Sequence, residues 1–200
     1  MRVNIYLLHK PFTPWDEYGE VLLAGLTERL PREGGRLQLE RTGSFVPPIA
    51  LSGDNIIVTD AFRRQLEASG LTGLAFRPVI KRRVVHLDWA DWDREAEEPP
   101  EVPESGDPDD YLLDRPHDPA LAEAMGDLWE VVSEAHAELE RVPFGPNPWQ
   151  ARIYLRLDSW DGTDWFKARG YGFTYLSERA RAWLTETAGA WVDCREALVK

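Results

Sequence analysis

Apolar residues fall along this chain in two rhythms, and the places where one gives way to the other predict the elements. From Trp15 to Leu30, the residues Trp15, Tyr18, Leu22, Leu23, Leu26 and Leu30 recur at three- and four-residue spacing between Pro14 and Pro31, which predicts an amphipathic helix. The same spacing through Leu121, Ala122, Met125, Leu128, Trp129, Val132, Ala135 and Leu139 predicts a longer helix over 118–141, with Asp118 as N-cap and Pro119 in its first turn. Two shorter helices, near 60–69 and 177–187, begin at Thr59 and Ser177, hydroxyl residues suited to accept a first-turn amide; Gly70 stops the first. Short runs that alternate, or that are rich in β-branched and aromatic residues, predict strands at 2–8, 36–41, 55–58, 73–79, 82–89, 151–157 and 171–176, with a last one at 191–193. Residues 42–54, rich in Gly, Ser and Pro, read as a loop. The pattern is that of an α+β protein, a mixed or mainly antiparallel sheet packed with three to four helices.

Charge changes this picture in one place. Of the formal net charge of -12, the stretch Asp91 to Asp118 supplies most, with twelve acids against Arg94 and Arg115. It also holds Pro99, Pro100, Pro103, Pro108 and Pro116 and few large apolar residues, so an acidic, mobile insertion is expected there. The 200 residues suit one globular domain, or two lobes at 1–90 and 118–200 joined by 91–117. With 43% hydrophobic and 29% charged residues the chain has enough apolar surface for a packed core. A surface that binds nucleic-acid phosphate needs clustered Lys and Arg, which an acidic chain disfavours; a protein partner steered by this charge is basic. Cys194 is the single cysteine, which excludes an internal disulfide and favours a cytoplasmic setting. The N-terminal apolar run is too short for a signal peptide, and no stretch reaches the length of a membrane span.

Catalytic patterns are sparse. His9, His86, His117 and His136 are scattered, and no pair has the spacing of a zinc-protease helix. His86 and Asp88 would share one strand face, and with Asp164 they are the residues on which an enzyme reading would rest. The loop Asp158 to Asp164 carries three carboxylates but lacks the ligand order of a calcium-binding loop. No cofactor is expected. Aromatic residues beside carboxylates suit a protein interface, which points to Trp89, Asp91, Trp92, Asp93, Asp109, Asp110 and Tyr111 as partner-binding residues.

Two segments also match each other: Ile56-Ile57-Val58-Thr59-Asp60 lies over Thr174-Tyr175-Leu176-Ser177-Glu178, with Arg63 over Arg181 and Leu66 over Leu184. The first of these opens a longer run. Gly53-Asp54-Asn55-Ile56-Ile57-Val58-Thr59-Asp60, then Leu66, Gly70-Leu71-Thr72-Gly73 and Phe76-Arg77-Pro78-Val79, resembles immunity proteins of bacterial polymorphic toxin systems, particularly the myxobacterial kind. Such relatives often carry paired CxxCG motifs, which this chain lacks, so no zinc site is implied. The resemblance implies a cytoplasmic protein that binds and neutralises a partner toxin. An enzyme with a dispersed site near His86 and Asp88, or a scaffold subunit, are the other readings.

Overall fold

Local sequence decides where each element starts and stops, and the computed structural model describes the outcome for residues 3–145 and 150–200. In chain order these form β1 (Ile5–His9), α1 (Glu17–Ala24), β2 (Gln38–Gly43), β3 (Ile49–Ser52), β4 (Asn55–Thr59), α2 (Asp60–Ala68), β5 (Ala75–Pro78), β6 (Ile80–His86), α3 (Asp110–Leu113), α4 (Pro119–Ala124), β7 (Leu128–Val132), β8 (His136–Ala137), β9 (Leu139–Pro143), β10 (Ala151–Leu155), β11 (Trp165–Ala168), β12 (Thr174–Ser177), α5 (Glu178–Ala188) and β13 (Asp193–Glu196). The expected α+β class holds, with mostly antiparallel sheets. The proline-bounded run 143–148 is expected from its sequence to be a loop, and its residues 146–148, like Arg2 of the expected first strand, lie outside the described residues.

The chain folds into two compact units that interleave in sequence. A terminal unit (1–10, 65–75 and 132–200) is built on a five-stranded sheet ordered β13-β1-β12-β11-β8, whose core is Ile5, Ala137, Leu155, Phe166, Ala168 and Tyr175. A central unit (11–64 and 76–131) contains a four-stranded sheet ordered β3-β4-β7-β5 and the parallel pair β2-β6. The acidic stretch lies wholly inside the central unit.

The internal similarity extends well beyond the matched residues. The order β3-β4-β7-β5 repeats β11-β12-β1-β13, and in each case the second strand leads through a capped helix to the last. Thr59 Oγ1 accepts the Phe62 amide at 3.3 Å, as Ser177 Oγ accepts the Ala180 amide at 3.2 Å. Arg63 pairs with Asp60 at 2.9 Å and lies 4.4 Å from the Trp129 ring; Arg181 pairs with Glu178 and lies 5.0 Å from the Tyr6 ring. Those two rings occupy matching places, Trp129 opposite Val58 and Tyr6 opposite Leu176. Capping accounts for a hydroxyl and an acid at a helix start, but it does not require an aromatic residue on the neighbouring strand. The two sheets therefore share one design.

Four expectations are corrected. The helix expected to reach Leu30 ends at Ala24, because Gly25 turns to φ 72° and Leu26 exchanges two backbone hydrogen bonds with Glu40. The long helix over 118–141 is instead α4 followed by β7, β8 and β9. Gly126, at φ 72°, ends α4, and Leu128-Trp129-Glu130-Val131-Val132 is a β-rich run whose dense apolar residues happened to satisfy helical spacing. The loop 42–54 contains β3, a fully buried run joined to β4 by the tight Gly53-Asp54 turn. Finally, the stretch expected to be a mobile insertion is folded. Short turns and α3 carry it, and buried side chains fix it in place.

Candidate functional site

The acidic stretch is anchored by aromatic residues that its own sequence supplies. Tyr111 is only 1% exposed and Trp89 only 3%, and both pack with Leu22 and Leu87, against which Trp15, Tyr18, Phe45 and Trp92 also lie. Edge contacts join Trp15 to Trp92, Tyr18 to Tyr111 and Phe45 to Trp89, each with ring centres 5.9 Å apart. Polar tips find partners: Trp89 Nε1 donates to Thr42 Oγ1 at 3.0 Å, Trp15 Nε1 to the Ala96 carbonyl at 3.0 Å, and Tyr18 Oη to the Gly106 carbonyl at 2.8 Å. Tyr111 Oη donates to the Glu101 carbonyl, and burial, with help from Tyr18 and Glu101, pushes this phenol up to about 12.

A chain of charges ties β2 and β6 to the acidic stretch. Buried Glu40 receives Arg29 at 3.1 Å and Arg83 at 3.3 Å; Arg29 reaches on to Asp109 at 3.9 Å, and Arg83 donates to the Arg115 carbonyl at 2.9 Å. Burial, reinforced by Asp107, raises the Asp109 carboxyl above its ordinary value, with Arg29 opposing. Fully buried Arg41 secures the neighbouring loop by donating to the Thr42 and Phe45 carbonyls, and burial lowers its guanidinium to about 10.

The sequence-derived partner residues thus divide into two sets. Trp89 and Tyr111 are buried supports, and Trp92 is half-buried between Trp15 and Tyr111. Asp91 and Asp93 are exposed, and Asp109 and Asp110 are partly so. Several of the carboxylates also brace the surface turns: Asp93 accepts the Glu95 amide, Asp107 the Asp109 amide, and Asp110 the Ser105 hydroxyl at 2.6 Å. Between the turns lies a cavity of about 280 Å³ lined by Glu101, Glu104, Asp110, Asp114, Tyr111 and Arg115, among others. Sequence reasoning missed Glu101, Glu104 and Asp114; the proline spacing around them was the available signal, since it forces the turns that bring them together.

By sequence, the central unit holds 24 acidic and 12 basic residues and the terminal unit 11 of each, so the central unit accounts for the chain's -12. His86 and Asp88 are in contact, Nε2 to Oδ2 at 3.1 Å, on an exposed rim of this unit. Asp164 belongs to the terminal unit and has a structural task, accepting Ser177 Oγ at 2.7 Å, Thr72 N at 3.0 Å, Thr72 Oγ1 at 3.1 Å and Arg179 Nη1 at 3.1 Å. The other carboxylates of its loop are engaged locally, Asp158 by Arg156 and Asp161 by Thr163. Among the described residues, no group of three His, Cys, Asp or Glu side chains could hold a metal ion, and no helix is long and apolar enough to cross a membrane. No protein-family model matches the chain, and no curated protein matches it either.

Proposed function

We propose that this chain is a protein-binding inhibitor of the immunity type, which neutralises a cognate basic toxin domain by direct association in the cytoplasm. One observation carries the reading: the excess negative charge sits on one unit, on a segment already folded over an aromatic base. A preformed ledge does not have to be ordered on binding, so less of the contact energy is lost to entropy. Opposite charge speeds encounter and rejects acidic competitors, and the carboxylate-lined cavity offers a seat for a lysine or arginine side chain. Asp91, Asp93, Asp109, Asp110 and the open edge of Trp92 meet the partner in this reading, while Trp89 and Tyr111 hold the ledge from below. The resemblance over residues 53 to 79 supplies the toxin class of the partner.

The test is co-expression with the product of the adjacent gene, followed by association kinetics on the purified pair. Replacing Asp91, Asp93 and Asp107 by Lys is expected to slow association about tenfold or more at low salt, with the difference fading as salt rises. Association that is equally fast at low salt would rule the ledge out as the contact face.

A further inference from the structure

In chain order, β1, β3, β4, α2 and β5 match β7, β11, β12, α5 and β13, and the two series agree in their backbone bonds. The Thr59 amide donates to the Pro48 carbonyl at 3.1 Å, as the Ser177 amide does to the Asp164 carbonyl at 2.9 Å. The Val79 amide donates to the Leu128 carbonyl at 2.9 Å, as the Ala197 amide does to the Ile5 carbonyl at 2.8 Å. Leu128 lies opposite Thr59, and Ile5 opposite Ser177. Beyond β5 the chain runs parallel to β2, and beyond β13 Val199 bridges Leu155 in parallel. One connection departs from a simple repeat. The leading strand of each series pairs in the sheet of the other, β7 between β4 and β5, and β1 between β12 and β13. Strand exchange between repeats is therefore already part of this fold.

We propose that a second copy of this chain supplies β1 to the terminal sheet in trans, so that two copies form a dimer by reciprocal exchange of that strand. The connections single out β1. β7 is held by three-residue connections on both sides (125–127 and 133–135), whereas β1 leads into α1 through the seven residues 10–16. This linker holds Pro11 and Pro14, which stiffen it, and its Phe12 is 93% exposed, so that ring anchors nothing. It ends in a strained turn, with Trp15 at φ 61° and Asp16 at φ 49°, left-handed values that side chains disfavour. It also folds back on α1 so closely that a Cβ on Gly19 would come within 1.9 Å of the Pro14 carbonyl oxygen. The same strand of another copy makes the same sheet contacts, so the balance between closed and exchanged forms rests on the linker and on the entropy of association. A strand received from another molecule frees the linker from its turn, and short strained hinges favour exchange. The slot is specific to β1: Ile5 is fully buried in the cluster of Phe166 and Tyr175, and Tyr6 Oη donates to Glu178 Oε2 at 2.5 Å.

Leu8 faces Cys194 across β1 and β13, and Cys194 is the single cysteine, so Leu8→Cys puts one thiol on each strand. The full chain is unfolded in urea, refolded at rising concentration and oxidised. A closed molecule then carries a link within one chain and runs as a monomer on a denaturing gel, whereas an exchanged pair runs as a covalent dimer whose mapped link joins β1 to β13. The dimer share is expected to rise with concentration, in step with light scattering of the wild type. Asp16→Gly, which adopts the positive φ without strain, should lower the association constant about tenfold or more. Deleting Phe12 and Thr13 should raise it. Links within single chains at every concentration overturn the proposal, and so does a dimer in light scattering whose links all lie within single chains. Leu8 is buried, so His9→Cys with Asp193→Cys in a Cys194→Ser background, also opposite in register, repeats the test should Leu8→Cys fail to refold. β1 gives no residue to the acidic ledge, so the outcome is separable from toxin capture.

Discussion

Replacing Tyr111 by Ala should cost about 3–5 kcal/mol of stability and release the acidic ledge. The ring is almost completely buried, touches Tyr18 and Trp92, and lies one residue before fully buried Leu112. Its removal leaves a cavity in the layer that holds residues 96–111, whereas Tyr111→Phe loses only the hydroxyl bond to the Glu101 carbonyl, about 1 kcal/mol. Urea titration gives the two stabilities. Limited proteolysis locates the change, with new cleavage between 97 and 110 expected for Ala and not for Phe. Equal behaviour of the two variants would mean that the ring does not anchor the segment.

Asp164→Ala should be comparably severe, about 3–5 kcal/mol, because four donors in the terminal unit lose a buried carboxylate partner at once. Its contribution also depends on pH. Burial pushes this carboxyl up, but hydrogen bonds from Ser177 and Thr72, together with Arg179, outweigh burial and hold it below the ordinary Asp value. A group with a lowered folded-state pKa stabilises the fold fully above its unfolded value, near 3.9, and loses that contribution as pH falls through the folded value. The stability gap between wild type and Asp164→Asn, measured by urea unfolding, should therefore be constant at neutral pH and narrow in acid below about pH 4. A gap that widened on acidification would contradict this assignment.

How much of this was legible in the sequence varies by element. Thr59 and Ser177 were readable as caps because a hydroxyl before an acid and an apolar helix face satisfies orphan amides through local contacts alone. β7 was not, because Leu128 and Trp129 fit a helical stripe as well as a strand, and only pairing with β4 decides between them. The acidic ledge was legible in charge and misread in order. Proline and carboxylate content argued for mobility, while the decisive features were three aromatic residues, Trp89, Trp92 and Tyr111, whose partners Trp15 and Tyr18 lie far away in sequence. Of the residues read as partner-binding, Asp91 and Asp93 are exposed, Asp109 and Asp110 are half-buried, and two aromatics, Trp89 and Tyr111, lie in the interior. That division follows from desolvation, which favours burying rings and leaving unpaired carboxylates in water.

Amide hydrogen exchange on the isolated protein tests the central claim most directly, since a preformed ledge must be ordered before any partner arrives. The amides of Leu112 and Leu113, both bonded to the Asp109 carbonyl, and of Asp118, bonded to the Val84 carbonyl at 2.8 Å, are expected to exchange far more slowly than unstructured peptide. Exchange across residues 91–118 at the unstructured rate would contradict the account.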